Sequence, residues 1–286
     1  GLLGSSLNKI LIKKKQKIIW IWNNKKNKNA FYVDYQSIGS INKFIFKYGI
    51  PDLLIHSGWG KMSEPLSNFH IEENYENSKN LINTFTNHGL KKFIFIGTIN
   101  EYGNKKGSVK ETDKPTTKLR NYEKGKAKFS KYGMQLSQKN NFIYVHIRLA
   151  NLFGPFQKRG SLIDCIHESF NNDKELKVSS LDFYRDFLYS DEAALGIFNI
   201  FKKIKKSLII NLGSGKSLYM RDFIKHYWLK IGGRKNMLVM DEIQKNSLSK
   251  QETFYLNISL LKKITNWEPK NNIANNIKKN IDYYKN

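Results

Sequence analysis

The sequence predicts an α/β protein, a doubly wound parallel sheet followed by a smaller C-terminal α/β lobe. Three observations lead there. Through the first half, short apolar runs alternate with amphipathic stretches, the order that covers a parallel sheet with helices on both faces. The 286 residues are 40% hydrophobic, enough for one large domain or a domain with a lobe. No internal repeat and no flexible linker separates the halves, so residues 156–286 are expected to pack mainly as a lobe against the sheet domain, residues 1–155.

Taken in order, the chain opens on Gly1-Leu2-Leu3-Gly4-Ser5-Ser6-Leu7, which fits G-x-x-G-x-x-L ahead of the helix-like Asn8-Lys9-Ile10-Leu11-Ile12. Glycines at a strand-to-helix turn admit a pyrophosphate close to the backbone, and the helix N-terminus offers unpaired N–H groups. Leu7 stands where a glycine is expected, and the strand that precedes such a loop is not in the sequence; residues upstream of Gly1 are its expected source. Lys17–Trp22, Ala30–Val33, Leu53–His56, Lys92–Ile96 and Phe142–Ile147 read as strands, being short runs rich in β-branched and aromatic residues. Between them Ile71, Tyr75, Ser78, Leu81, Ile82 and Phe85 recur at helical spacing, and Tyr122–Gln138 reads as another helix. Beyond Pro155 the pattern predicts helices near Leu162–Phe170, Asp191–Phe201 and Met220–Ile231, a short strand near Lys177–Ser179, and a strand at Leu208–Leu212 that returns to the main sheet.

A formal net charge of +25 invites a nucleic-acid partner, but the lysines are scattered from Lys9 to Lys285 among Asn and Ile, so solvated lysine faces are the reading and no nucleic acid is predicted. The same field would draw in smaller anions. The single cysteine, Cys165, excludes an intramolecular disulfide and a thiolate zinc cluster, and no metal is predicted. No apolar run is long enough to span a bilayer, and the first residues lack the basic region of a signal peptide, so a soluble cytoplasmic protein without a membrane partner is expected.

The chemistry concentrates in Y-x-x-x-K, because residues four apart share a helix face and an ammonium beside a phenol favours the phenolate. The pattern occurs three times, at Tyr75/Lys79, Tyr102/Lys106 and Tyr122/Lys126. Tyr75 belongs to the apolar stripe of its helix, and Tyr102 precedes Gly103 in a loop. Tyr122 and Lys126 open a helix after the strand that ends at Gly97-Thr98, which singles them out. After Trp22 the segment Asn23-Asn24-Lys25-Lys26 carries no acid to bond a ribose 2′-hydroxyl, and its basic residues favour a 2′-phosphate.

Several segments, in this order, resemble the extended short-chain dehydrogenase/reductases of the NAD-dependent epimerase/dehydratase family, Rossmann proteins that act on nucleotide sugars. Phe93–Gly103 is similar to the strand and loop carrying the family's Ser/Thr, which falls on Thr98. Pro51–Gly60 resembles the fourth strand, which ends beside the cofactor. Arg148-Leu149-Ala150-Asn151-Leu152-Phe153-Gly154-Pro155 is similar to R-x-x-N-x-x-G-P, Tyr184–Asp191 to the R-D-F/Y segment whose arginine holds a diphosphate, and Asn211–Gly215 to the N-x-G-x-G turn. The resemblance implies Thr98, Tyr122 and Lys126 as catalytic residues. It implies Gly1, Gly4, Ser5, Asn23, Lys25, Asp34, Ser57, Gly58, Trp59, Asn74, Tyr122 and Lys126 toward NADP(H). Thr98, Asn100, Asn151, Gln157 and Arg185 fall toward a nucleotide diphosphate sugar. For single residues the structural readings stand beside these: Arg148 as a structural arginine, Asp186 and Asp191 as helix caps, His56 as a satisfied core histidine.

Dehydratases of the family place an Asp-Glu pair after the Ser/Thr, where this chain has Ile99-Asn100, so elimination is disfavoured. The expectation is NADPH-dependent reduction of the 4-keto group of a nucleotide-linked deoxysugar, as in reductases of CDP- or dTDP-sugars that serve surface polysaccharides. A nucleotide-sugar epimerase is the alternative, and a catalytically silent binding protein of the same fold is the alternative from another class. The nucleotide base and a homodimer are left open.

Overall fold

The computed structural model describes residues 1–22, 30–116, 118–157, 159–179, 181–241 and 253–285. Helix α1 (Leu2–Lys13) is followed by strands β1 (Ile21–Trp22) and β2 (Phe31–Tyr32), helix α2 (Ile38–Tyr48), strand β3 (Leu54–His56), helix α3 (Glu73–Asn87), strands β4 (Lys92–Ile96) and β5 (Gly107–Val109), helix α4 (Asn121–Lys139), and strands β6 (Ile143–Leu149) and β7 (Asn151–Phe153). The remainder comprises α5 (Leu162–Asn171), β8 (Leu176–Val178), β9 (Tyr184–Arg185), β10 (Phe187–Tyr189), α6 (Ser190–Lys203), β11 (Leu208–Leu212), β12 (Leu218–Tyr219), α7 (Met220–Ile231), β13 (Leu238–Met240), β14 (Phe254–Leu256), α8 (Ser259–Thr265) and α9 (Ile273–Lys285).

The main sheet is parallel with strand order β11-β6-β4-β3. Its strands are buried on both faces, and the side-chain period of two divides them between two cores. From β4, Ile94 and Ile96 join Val145, Ile147 and Ile210 on the face covered by α6 and α8. Phe93 and Phe95 join Tyr144 and Phe129 on the face covered by α2, α3 and α4, an aromatic core. A third core, built from Phe153, Ile166, Phe223, Tyr227, Trp228, Ile277 and neighbours, holds the C-terminal elements. No helix among the described residues is long and apolar enough to cross a membrane.

The sequence-derived elements differ from these chiefly at the N-terminus. The opening glycine segment is not an extended turn: helix α1 begins at Leu2, with Gly1 as its N-cap, so Gly4 and Ser5 lie within its first turns. Leu7 is 1% exposed and packs in the first core, a position where an apolar side chain rather than a glycine fills the space. Among the described residues the expected strands 17–22 and 30–33 shrink to β1 and β2, which pair with each other; ladder bonds run from Phe31 N to Trp20 O and from Val33 N to Trp22 O. Pattern alone marks neither the helices α2, α8 and α9 nor the strands β5, β7, β9, β10, β12, β13 and β14. β5 and β14 are short segments that gain their hydrogen bonds from each other, more than a hundred residues apart in sequence.

Candidate active site

In parallel strands that lie in register, the C-terminal ends share one edge of the sheet, the edge where sites of this architecture gather. Ile96 pairs with Ile147 and Ile210 with Ile147, which puts Gly97-Thr98, Ala150-Asn151 and Gly213 on that edge. Thr98 follows β4 and caps the short 3-10 turn Ile99–Tyr102: its Oγ1 accepts from Asn100 N, while Glu101 Oε1 accepts from Thr98 N at 2.8 Å. Asn100 therefore sits in the first turn beside Thr98.

Tyr122 stands in the first turn of α4, whose entry is fixed by Arg120 N donating to Glu123 and by Tyr122 N donating to Pro65 O. The Tyr122 phenol lies close enough to the Thr98 side chain for the hydroxyl to favour its ionised form. One turn on, Lys126 is 3% exposed, donates from Nζ to Ile96 O at 2.7 Å, and lies 4.8 Å from the Trp59 ring and 5.5 Å from the Tyr122 ring. Burial lowers the Lys126 ammonium to about 8, opposed by the Glu101 carboxylate. The Tyr122 phenol is raised, not lowered as the motif implies: burial dominates, Glu101 adds to it, and the Thr98 hydroxyl works the other way. The phenol is thus protonated at neutral pH.

Close approach of α4 depends on glycine. A Cβ on Gly125 would stand 2.2 Å from His70 O, and one on Gly133 would stand 2.3 Å from the Tyr144 ring. His70 in turn accepts from Trp59 Nε1 at Nδ1 and reaches Glu64 O through Nε2, and its ring meets Tyr122 edge-on. Asn74 exchanges hydrogen bonds with Gly60 N and O, so it holds the loop of Ser57, Gly58 and Trp59 rather than presenting its amide outward. His56, 5% exposed, pairs with Ser78; burial and then Lys126 lower it to about 3, the behaviour of a satisfied core histidine.

The other two Y-x-x-x-K pairs differ. Lys79 is ion-paired with Glu76 beside Tyr75, on the surface of α3. Tyr102 is not a loop residue but 0% exposed, donating to Asn211 Oδ1 at 2.8 Å.

Arg185 on β9 bonds only its own neighbour's Tyr184 O; its guanidinium lies over Phe183 and Phe254, and no carboxylate pairs with it among the described residues. Asn151 Nδ2 donates to Asp186 O. Asp186 is not a helix cap: its carboxylate accepts from Ser214 N and Leu256 N, holding the Gly213–Gly215 turn. Asp191 is not a helix cap either: α6 begins at Ser190 with Tyr189 at its N-cap and no side-chain cap, and Asp191, in the first turn, pairs with Lys9 of α1. Gln157 is half-buried in the loop that follows β7. Asp34 follows β2, its N donating to Ser40 and its Oδ1 accepting from Gln36 N. Asn23 and Lys25 lie outside the described residues. Sequence reasoning missed Glu101, His146, His70 and Gly125. Gly125, directly before Lys126, was a readable signal; the others carry none that separates them from ordinary core residues.

A nicotinamide dinucleotide fits these residues on two counts. The α1 N-terminus has no side-chain cap and no acid in its first turn, and a Cβ on Gly1 or Gly58 would meet nothing within 4 Å, leaving space at both places. Two cavities, about 230 Å³ beside Phe170 and Trp228 and about 450 Å³ beside Lys92 and Lys206, lie elsewhere and include none of these residues.

A family model described as the NAD dependent epimerase/dehydratase family matches residues 1–213. An ADP-L-glycero-D-manno-heptose-6-epimerase of Brachyspira hyodysenteriae is 24% identical over 199 residues, 67% of this chain and 61% of that protein, so this chain spans less than two thirds of that relative. A UDP-glucuronate 4-epimerase of Thermodesulfobacterium geofontis is 24% identical over 274 residues, 91% of this chain and 81% of that protein. The crystal structure of UDP-glucose 4-epimerase from Thermotoga maritima, with UDP-glucose, covers 100% of this chain and 96% of its own with a TM-score of 0.85 at 19% identity, a likeness of fold.

Proposed function

The chain belongs to the NAD dependent epimerase/dehydratase family, and on that premise we propose that it is an epimerase of a nucleoside-diphosphate sugar. The observation that carries this is the cluster of buried Thr98 and Lys126 with half-buried Tyr122 at the C-terminal edge of the sheet. Both relatives named above are epimerases, which supports inversion ahead of the net reduction that the residues alone suggest.

A bound nicotinamide cofactor, held by the α1 N-terminus, the Ser57–Trp59 loop and Lys126, would supply the hydride acceptor and donor. Once its own proton has been released to solvent, the Tyr122 phenolate takes the proton of the sugar hydroxyl and later returns it, and the Thr98 hydroxyl holds the same oxygen in line with the phenol. Lys126, an ammonium fixed to Ile96 O, sets the electrostatics of that exchange. Arg185, a cation without a carboxylate partner among the described residues, receives the diphosphate, with Asn151 beside that path.

A second reading is NADPH-dependent 4-ketoreduction. It is favoured by the missing acid after Trp22 and by a phenol that burial keeps protonated, the state an acid needs to deliver a proton. Incubating the protein with UDP-, CDP- and dTDP-sugars and substoichiometric NAD, with products resolved by NMR, separates the two. Interconversion of two sugars with no net cofactor change is the expected result. Stoichiometric NADPH oxidation with a 4-keto sugar nucleotide would select the second reading, and neither activity would favour a silent nucleotide-binding protein of this fold.

A further inference from the structure

His70 ends the short 3-10 turn Asn68–His70 and is 0% exposed, yet both of its ring nitrogens are engaged. Its neighbours fix which nitrogen carries the proton. Gly60 N can only donate, and does so to Asn74 Oδ1 at 2.9 Å, which turns the Asn74 amide so that Nδ2 faces His70 Nδ1 at 3.2 Å. Trp59 Nε1, also a donor only, points at the same nitrogen at 3.0 Å. With two donors aimed at it, Nδ1 is a bare acceptor. The proton therefore sits on Nε2, which donates to Glu64 O at 2.9 Å. A ring protonated on Nδ1 would set a third donor against those two.

We propose that His70 is a positioning residue of the candidate active site: its Nδ1 holds the Trp59 indole in place as a wall of the Lys126 ammonium, and its Nε2 anchors the imidazole to the Glu64 carbonyl. This rests on the reading of Tyr122 and Lys126 as members of the reacting cluster. Lys126 Nζ is confined by Ile96 O at 2.7 Å and by the rings of Trp59, Phe95 and Tyr122, whose centroids lie 4.8, 5.1 and 5.5 Å away. Ile96 and Phe95 belong to β4 and Tyr122 to α4, elements that set their own side chains. Trp59 is on the loop after β3, so its orientation needs a partner, and the bond to His70 Nδ1 supplies it. The indole is 8% exposed, which leaves its N–H little access to water in place of that bond.

The anchoring side reaches α4 as well. Pro65, next to Glu64, accepts at its O from Tyr122 N at 2.9 Å, and Leu66 O accepts from Asn121 Nδ2 at 2.8 Å, so the segment that His70 Nε2 grips is the one on which the first turn of α4 rests. The imidazole meets the Tyr122 ring edge-on with centroids 5.4 Å apart, and His70 O lies where a Cβ on Gly125 would stand. His70 itself touches none of the reacting atoms; it acts through Trp59.

The two nitrogens can be removed one at a time. His70→Asn keeps an acceptor oxygen at the place of Nδ1 and lacks the reach to Glu64 O, whereas His70→Gln reaches Glu64 O with its amide nitrogen and offers nothing at Nδ1. Both remove the ring edge that meets Tyr122, so a role in packing alone gives the same loss in both. The Trp59 indole N–H signal, assigned by its loss in Trp59→Phe, should exchange with solvent as slowly in His70→Asn as in wild type and at least about tenfold faster in His70→Gln. On the accepted sugar nucleotide, His70→Gln should lose roughly tenfold or more in kcat with KM within about twofold, while His70→Asn stays within about threefold of wild type in both, because a small misplacement of a reacting group is costly to the chemical step. Equal kcat losses in the two variants, or an indole that exchanges in His70→Gln as slowly as in wild type, would overturn the proposal. If His70→Gln does not fold, the imidazole 15N spectrum of the wild-type protein decides, and a proton on Nδ1 overturns it. A wild-type protein that turns over no nucleotide sugar would remove the epimerase reading, and the indole exchange rates would then decide the clamp by themselves.

Discussion

Two tyrosines with a lysine four residues on should fail in opposite ways when only the hydroxyl is removed. Tyr102→Phe keeps the ring that supports Arg148 but deletes the donor to Asn211 Oδ1. Asn211 is 0% exposed, and its Nδ2 already donates to Val109 O and Asn257 O, so the amide cannot turn to find another partner without losing those bonds. One buried acceptor is left unsatisfied, a cost of about 1–3 kcal/mol. For a chain of this size that lowers Tm by roughly 2–12 °C, at about 2–4 °C per kcal/mol. Tyr122→Phe deletes a hydroxyl on a half-buried ring at the sheet edge that leaves no buried partner unsatisfied among the described residues, so the stability loss should be at most about 1 kcal/mol. Its kcat should fall roughly 10²–10⁴-fold with KM little changed, the usual worth of a positioned acid or base. Tyr75→Phe is the neutral control, since the ring that Lys79 and Lys128 cover is retained. Calorimetric Tm values and steady-state rates on the accepted sugar nucleotide read both axes. The reasoning is refuted if Tyr102→Phe is as stable as wild type, or if Tyr122→Phe turns over normally.

Arg185→Ala should weaken the sugar nucleotide roughly 30- to 150-fold, about 2–3 kcal/mol, with dinucleotide affinity unchanged by calorimetric titration; equal loss of both ligands would make the arginine structural. Gly125→Ala should destabilise by roughly 1–3 kcal/mol despite its better helix propensity, because the added methyl meets His70 O and α4 must shift; a denaturant midpoint at or above wild type would contradict that packing. NADPH should bind more tightly than NADH if the Asn23–Lys26 segment meets a 2′-phosphate, and equal or tighter NADH binding in a titration rejects it. Stability should decline with acid because of His56: the unfolded imidazole protonates below about 6.5 and the buried one only near 3. The loss therefore accumulates from about pH 6.5 downward, on the order of a few kcal/mol. Urea unfolding of His56→Gln should show a flatter acid limb, and an identical slope would exclude His56 as its source.

The sequence by itself determined the layered α/β class, because the runs that become β4, β6 and β11 are apolar on both faces and are divided by helices of clear period. It also singled out Tyr122 and Lys126, since i and i+4 on one helix are local geometry, while Thr98 was legible only through the family resemblance of the Phe93–Gly103 segment. Only the tertiary structure decided what those groups experience. That Tyr122 is raised rather than lowered comes from burial and from Glu101, residues brought together by strand register rather than by spacing. That Tyr102 is a core donor depends on Asn211, 109 residues away. That Glu101, His146 and Arg148 form one cluster depends on β4 lying beside β6. Periodicity records which way a side chain faces; electrostatic environment is a sum over neighbours in space, and those neighbours are chosen by the folding of the whole sheet.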